Sequence, residues 1–181
     1  MFLHLLLSQR GFFGSSGSLN FIFPKAMRGG ILTLAIKARG HSTTEDFMFM
    51  SSVFTQIVRG EIPSHRVAED EHFLAFLDIQ PIRPGHTLVI PKEEVDHFFD
   101  MDDRLLSRAL LFAKPIGRAI QAVTGADRVG AVVAGFDVPH AHLHLIPADT
   151  MADLDFSRAK RASHNELARM AEQLRKVLVD Y

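Results

Sequence analysis

From residue 53 onward the apolar positions follow two repeating patterns, one with a period of two and one with a period near 3.6. Arg66–Glu69 and Phe73–Asp78 read as a hairpin around the polar turn Asp70-Glu71, and His86–Ile90 as a third strand that Pro91 ends at a sheet edge. Pro81, Pro84 and Gly85 interrupt the chain between them. Val129–Ala134 reads as a buried strand, Gly135-Phe136-Asp137 as a turn, and His140–Ile146 as a last strand. The helical pattern is clearest in Leu105, Ala109, Phe112, Ala113, Ile116, Ile120 and Val123, which share one face of an amphipathic helix. Asp102 or Asp103 caps its start, Gly125 stops it, and Pro115 is expected to kink it or split it in two. A short helix over Val53–Arg59 is stopped by Gly60 and Pro63. Ser163-His164-Asn165-Glu166 is a capping box that opens a final helix, with Leu167, Met170, Ala171, Leu174, Val177 and Leu178 on one face. These elements predict an α+β domain over about 50–147, an antiparallel sheet with two main helices. A linker and an accessory C-terminal helix at 163–181 complete the segment 148–181. Residues 50–181 show no internal repeat and no low-complexity tract.

Residues 1–49 do not fit either pattern. Positions 1–44 contain five basic residues and no Asp or Glu, and they hold six of the twelve glycines. Leu5–Leu7 is too short for a secretory signal, and no apolar stretch is long enough to span a membrane. The segment is read as an extension outside the domain. Either the start is mis-assigned, with Met48 or Met50 the true beginning, or the segment is an organelle transit peptide; the first reading is preferred. The protein is accordingly expected in the cytoplasm, or in an organelle if the transit reading holds.

Composition narrows the function classes. Of 181 residues, 47% are apolar and 23% charged, enough for a sizeable core. No cysteine is present, which excludes a disulfide framework, a thiolate zinc site and a cysteine nucleophile. Net charge is −1, so no basic field draws the molecule to nucleic acid or to a membrane surface.

The chemistry concentrates in His140, His142 and His144. On a strand these i, i+2, i+4 positions project from one face, about 6.6–6.8 Å apart, while Ala141, Leu143 and Leu145 point the other way into a core. A solvated face would be served as well by Thr, Lys or Glu. Three readings follow: a metal site, a nucleophilic imidazole with tautomer-fixing neighbours, or structural histidines bound to backbone carbonyls. A metal site calls for nearby carboxylates, and Asp137 is the only one close in sequence. Pro84-Gly85-His86 and Phe76-Leu77-Asp78 instead offer parts for holding a phosphorylated ligand that carries a sugar hydroxyl. His65, His72, His97 and His164 read as surface residues, as does His41.

The run Val138-Pro139-His140-Ala141-His142-Leu143-His144-Leu145-Ile146-Pro147 resembles the signature of the histidine triad (HIT) superfamily of nucleotide hydrolases and transferases. Residues 53–63, 69–79 and 84–92 are similar to its opening segment, central hairpin and third strand, so the resemblance covers about 53–147. It is closer to the Hint-like branch than to the galactose-1-phosphate uridylyltransferase branch. The resemblance implies that His142 attacks an α-phosphate and forms a nucleotidyl-histidine intermediate. It implies that His140 positions this nucleophile, that His144 contacts the phosphate and helps protonate the leaving group, and that His86 lies beside the triad. Asp78 would bind the ribose hydroxyls; Phe54, Ile57, Ile62, Phe76 and Ile79, joined by Val53, would line a slot for the base. Phosphate charge would meet imidazoles and backbone N–H groups near Gly135, Asp137 and Val138. A homodimer with a continuous sheet is implied as well.

The chain departs from the family at several positions. Zinc-carrying relatives have a Cys-x-x-Cys pair where this sequence has Ser52 and Thr55, so no structural zinc, no metal in the chemistry and no cofactor are expected. The loop before the triad is shortened to Ala134-Gly135-Phe136-Asp137-Val138. It places Phe136 where the family has Gln and Asp137 where it has a hydroxyl; Ala148 replaces a frequent Arg. The expected substrates are nucleoside phosphoramidates, dinucleoside polyphosphates and aminoacyl-adenylate-like compounds. The alternatives are a nucleotide-binding module with little turnover and a histidine-based metal-binding protein.

Overall fold

A computed structural model describes residues 51–179. Residues 1–49, read above as an extension, lie outside the described residues. The chain runs α1 (Val53–Val58), β1 (Arg66–Glu69), β2 (Phe73–Leu77), β3 (Thr87–Pro91), α2 (Asp103–Thr124), β4 (Arg128–Val133), β5 (Leu143–Ala148) and α3 (His164–Leu178), with single 3-10 turns at Phe98–Asp100, Met151–Leu154 and Phe156–Arg158. The five strands form one antiparallel sheet in the order β1-β2-β3-β5-β4.

The period of two in β2 explains the layering. Phe73, Ala75 and Leu77 join Val89, Leu143 and Leu145 beneath Leu105, Ala109, Ala113, Ile116 and Ile120 of α2 and Leu167, Ala171 and Leu174 of α3. Leu74 and Phe76 point the opposite way, joining Leu88 and Ile90 against Phe54 and Ile57 of α1. The sheet is therefore covered on both faces, by α2 and α3 on one and by α1 on the other, and β2 and β3 are buried at every position. The α3 capping box forms as its sequence implies, with Ser163 and Glu166 exchanging side-chain and backbone bonds.

Four local expectations are corrected. Pro115 does not divide α2, which is continuous from Asp103 to Thr124. The ring removes the donor for the Leu111 carbonyl, on a face of the helix where Leu111 is exposed. The strand expected to be buried, β4, is an edge strand whose residues are exposed or half-buried, because β5 inserts between it and β3. The last strand starts at Leu143 rather than His140, so of the three histidines only His144 lies in the ladder. Pro91 does end β3, but in the interior of the sheet, where it is buried opposite Phe73.

Gly85, at the turn into β3, has a φ of +96°, and a Cβ there would come within 2.9 Å of Thr124 Cγ2. Both the left-handed backbone and the close approach of α2 require glycine. The turn delivers His86 to the sheet beside β5.

Candidate active site

His144 pairs across the ladder with Leu88, whose side chain belongs to the α1 face of the sheet. The alternation extends to residues before the ladder: Ala141 enters the α2 core with Leu143 and Leu145. The His142 ring lies 4.9 Å from that of His144, and Phe54 of α1 meets His142 edge-on at 5.2 Å and His140 at 5.8 Å. All three triad histidines and His86 are buried.

Backbone groups fix the tautomers of His142, His86 and His140, and His86 in turn fixes that of His144. His142 Nδ1 lies 2.6 Å from the His140 carbonyl, which can only accept, so the proton is on Nδ1 and the Nε2 lone pair is left for another partner. The Ile82 N–H donates to His86 Nδ1, which puts the His86 proton on Nε2. That proton is donated to His144 Nδ1 at 2.9 Å, so His144 carries its own proton on Nε2. His140 donates Nε2–H to the Pro91 carbonyl at 2.9 Å, and its Nδ1 accepts from the Ser52 hydroxyl at 2.8 Å. A nucleophilic lone pair on His142 and an N–H donor on His144 thus stand side by side.

Burial disfavours the charged form of three of these rings, His86, His140 and His144. Burial lowers His86 to about 4. Burial, followed by the neighbouring His86 and His142, lowers His144 to about 3. His140 is lowered mainly by burial, against the opposing pull of the Pro91 carbonyl and Glu94. His86 Nδ1 also lies 3.7 Å from Asp78 Oδ2, but a neutral His86 that accepts from Ile82 makes no ion pair with it. Asp78 Oδ1 accepts from Gln80 N–H, and Asp78 itself is half-buried at the end of β2.

The apolar residues expected around a base are only partly gathered. Phe54, Ile57 and Phe76 are buried together, with Ile62 and Val138 packed on their edge. Ile79 is 51% exposed and lies outside that cluster, and Val53 is exposed too. Gly135 and Asp137 are exposed in the loop between β4 and the triad, and Phe136 is 97% exposed.

Asp78, His86 and His144 place donor atoms within 4.8 Å of one another, a possible metal-holding group among the described residues. Both nitrogens of His86 are already committed, so a metal there would have to break the bond to Ile82 or to His144. His65, expected at the surface, is half-buried against the His164 ring at 4.7 Å.

Sequence reasoning missed two contributors. Phe156 sets its ring edge-on to His144 at 4.9 Å and to His86 at 6.4 Å. Its turn is held by Asp153, which accepts from Arg83, Arg158 and the N–H groups of Asp149 and Thr150. These contacts lower the Asp153 carboxyl to about 2. The segment continues past Pro81 and Ile79, whose carbonyls accept from the N–H groups of Lys160 and Ala162. Glu94 is the second, joined to His140 through Thr55 and Ser52. No periodic or motif signal marks either residue.

A family model of the HIT domain matches residues 59–151, about half of the chain. The chain belongs to the histidine triad family. Among its relatives in this family is an uncharacterized HIT-like protein of Borreliella burgdorferi, 37% identical over 116 residues, covering 60% of this chain and 84% of that protein. The adenosine 5'-monophosphoramidase of Saccharomyces cerevisiae is 38% identical over 96 residues, covering 52% of this chain and 61% of that protein. The solved structure of a zinc-bound histidine triad family protein from Mycobacterium smegmatis is 32% identical with a TM-score of 0.64, covering 72% of this chain and 95% of that one. The α+β fold and the family expected from the triad are therefore those found. No helix among the described residues is long and apolar enough to cross a membrane.

Proposed function

We propose that this histidine triad protein cleaves a nucleoside monophosphate from a phosphoramidate, with dinucleoside polyphosphates and aminoacyl-adenylate-like compounds as related substrates. The observation that carries this reading is the Nδ1–H bond from His142 to the His140 carbonyl, which leaves the Nε2 lone pair of a buried ring for the substrate. That lone pair attacks the α-phosphorus, and the P–N bond breaks as the leaving amine, hydrogen-bonded by the His144 Nε2–H, takes a proton from a water molecule. The hydroxide so formed attacks the phosphorus and the P–Nε2 bond breaks, which releases the nucleoside monophosphate and returns the His142 lone pair. Asp78 accepts from the ribose hydroxyls, and Phe54, Ile57 and Phe76 face the base. The backbone N–H groups around Gly135 and Val138 receive phosphate charge. Similarity to the yeast monophosphoramidase supports the substrate class.

The reading is tested by AMP release from adenosine phosphoramidate and from a diadenosine polyphosphate, each with and without EDTA. Release from the phosphoramidate that EDTA leaves unchanged is expected. Loss of activity in EDTA would turn the reading toward a metal enzyme. A second reading, nucleotide binding with little turnover, draws on Asp137, an anion in the phosphate loop; retained AMP with no product would favour it.

We propose further that the protein is a cytoplasmic homodimer. The edge of β4 that is unpaired among the described residues, with Val133 exposed, is a surface a second copy can cover by continuing the sheet. Light scattering is expected to give twice the 20.2 kDa chain mass; a monomer at micromolar concentration removes the proposal.

A further inference from the structure

Glu94 has no place in the reaction as written above, yet it ends a continuous chain of bonds to the triad. Its carboxylate accepts from the Thr55 hydroxyl and, at 3.2 Å, from the Ser52 N–H. With the Thr55 proton committed to Glu94, the Ser52 hydroxyl, 3.1 Å from Thr55 Oγ1, is the donor to His140 Nδ1. His140 is held at two further points by the same segment after β3: its Nε2–H goes to the Pro91 carbonyl, and the Ala141 N–H to the Val95 carbonyl. The His140 carbonyl is in turn the acceptor that orients His142.

Resting on the proposed reaction, we infer that Glu94 is a positioning residue, the anchor of a hydrogen-bonded clasp Glu94–Thr55–Ser52–His140 that fixes the nucleophile, its two hydroxyls standing at the positions where the resemblance puts the Cys-x-x-Cys pair of zinc-carrying relatives. Zinc does not fit these side chains. Two neutral hydroxyls stand where thiolates would bind, and the one lone pair of the His140 ring already accepts from Ser52. The clasp ties α1, which carries Phe54 against His142, to the segment that carries the triad; a structural metal would join the same two pieces.

Helix capping alone would also place Ser52 and Glu94 here, since Ser52 Oγ accepts from Thr55 N–H at the start of α1. A pure cap predicts lost stability with no change at His140. The two are separated by steady-state kinetics on adenosine phosphoramidate and by nitrogen NMR of the full chain labelled in its histidines. Wild type is expected to show His140 as a single Nε2–H tautomer. Glu94→Ala is expected to shift the His140 Nδ1 resonance, as the Ser52 hydroxyl loses its fixed orientation while the Pro91 carbonyl keeps the proton on Nε2, and to lower kcat about tenfold with KM changed less than about twofold. Glu94→Gln, which keeps an acceptor oxygen, is expected to restore kcat to within about threefold of wild type. An unchanged His140 spectrum in Glu94→Ala, with or without a fall in kcat, overturns the clasp, as does stoichiometric zinc bound at His140 in the purified protein. Wild-type protein that releases no AMP but shows the His140 response to Glu94→Ala would remove the proposed reaction and uphold the clasp.

Discussion

Replacing His142 with Gln is expected to lower AMP release from adenosine phosphoramidate by at least about 10³-fold, with the fold intact and nucleotide still bound. The magnitude follows from what is lost. Gln keeps a polar group on the face of the sheet shared with Leu88 and Phe54 but offers no basic lone pair to phosphorus, so the two-step path closes and only direct attack by water remains. His144→Gln is expected to fall less, about 10²-fold, and more steeply the poorer the leaving group, because a hydrogen-bond donor is worth most when the departing atom is basic. Acid-quenching the wild-type reaction with substrate labelled at the α-phosphate is expected to leave label on the protein, and His142→Gln none. Comparable rates in wild type and His142→Gln would remove His142 as nucleophile, whatever the fate of the label.

The pH range of that activity follows from the tautomers. An imidazolium at His144 is not required, because its neutral ring already holds the proton on Nε2, directed there by the bond from His86. With His144 lowered to about 3 and His86 to about 4, neither ring titrates across the neutral range. Two histidines that a pH-rate profile would ordinarily find between 6 and 7 are thus silent there, and their cost appears in stability instead.

Much of this was legible in the sequence, for a stated reason. The alternation of imidazole and aliphatic side chains from His140 to Leu145 identifies two opposite destinations, and it survives even though the ladder begins only at Leu143. Side-chain direction needs only extended backbone, whereas ladder membership needs a neighbour, and beyond Pro91 that neighbour is lost. There the His140 ring bonds the Pro91 carbonyl instead. Which strand lies at the edge is a property of the whole sheet; the apolar residues of β4 read like those of β3, and nothing local says that β5 will take the inner place. Pro115 does not split α2 because a proline's cost depends on which face its unpaired carbonyl meets. Phe156 and Glu94 reach the site from 12 residues after His144 and 46 before His140, through turns and hydroxyl bonds that follow no period. The family motif itself was the most informative feature, since several segments agree with it in order and spacing.

Acid is expected to destabilise the fold well above the pH at which its carboxylates titrate. An unfolded histidine takes a proton near 6.5, whereas folded His86 does so only near 4. Between these values the unfolded chain binds more protons, so stability falls as pH falls; the contribution is complete above about 6.5 and gone below about 4. His86 alone accounts for about 3 kcal/mol on this linkage. His144, with its folded value near 3, extends the loss to lower pH. The two do not simply add, because one hydrogen bond joins them and a proton on either raises the cost of a proton on the other. The lowered carboxylates follow a separate schedule: Asp153, held near 2, contributes above its unfolded value near 3.8 and is lost only as pH falls through 2. Urea unfolding at intervals from pH 7.5 to 4.5 separates the two classes. The free energy of unfolding is expected to drop by several kcal/mol across that range, and the slope to be roughly halved in His86→Asn, which keeps a polar side chain at the position but cannot titrate. A free energy that stays level between pH 7 and 5 would show that these rings are not held neutral by burial, and the proton on His144 Nε2 would then need a source other than its tautomer.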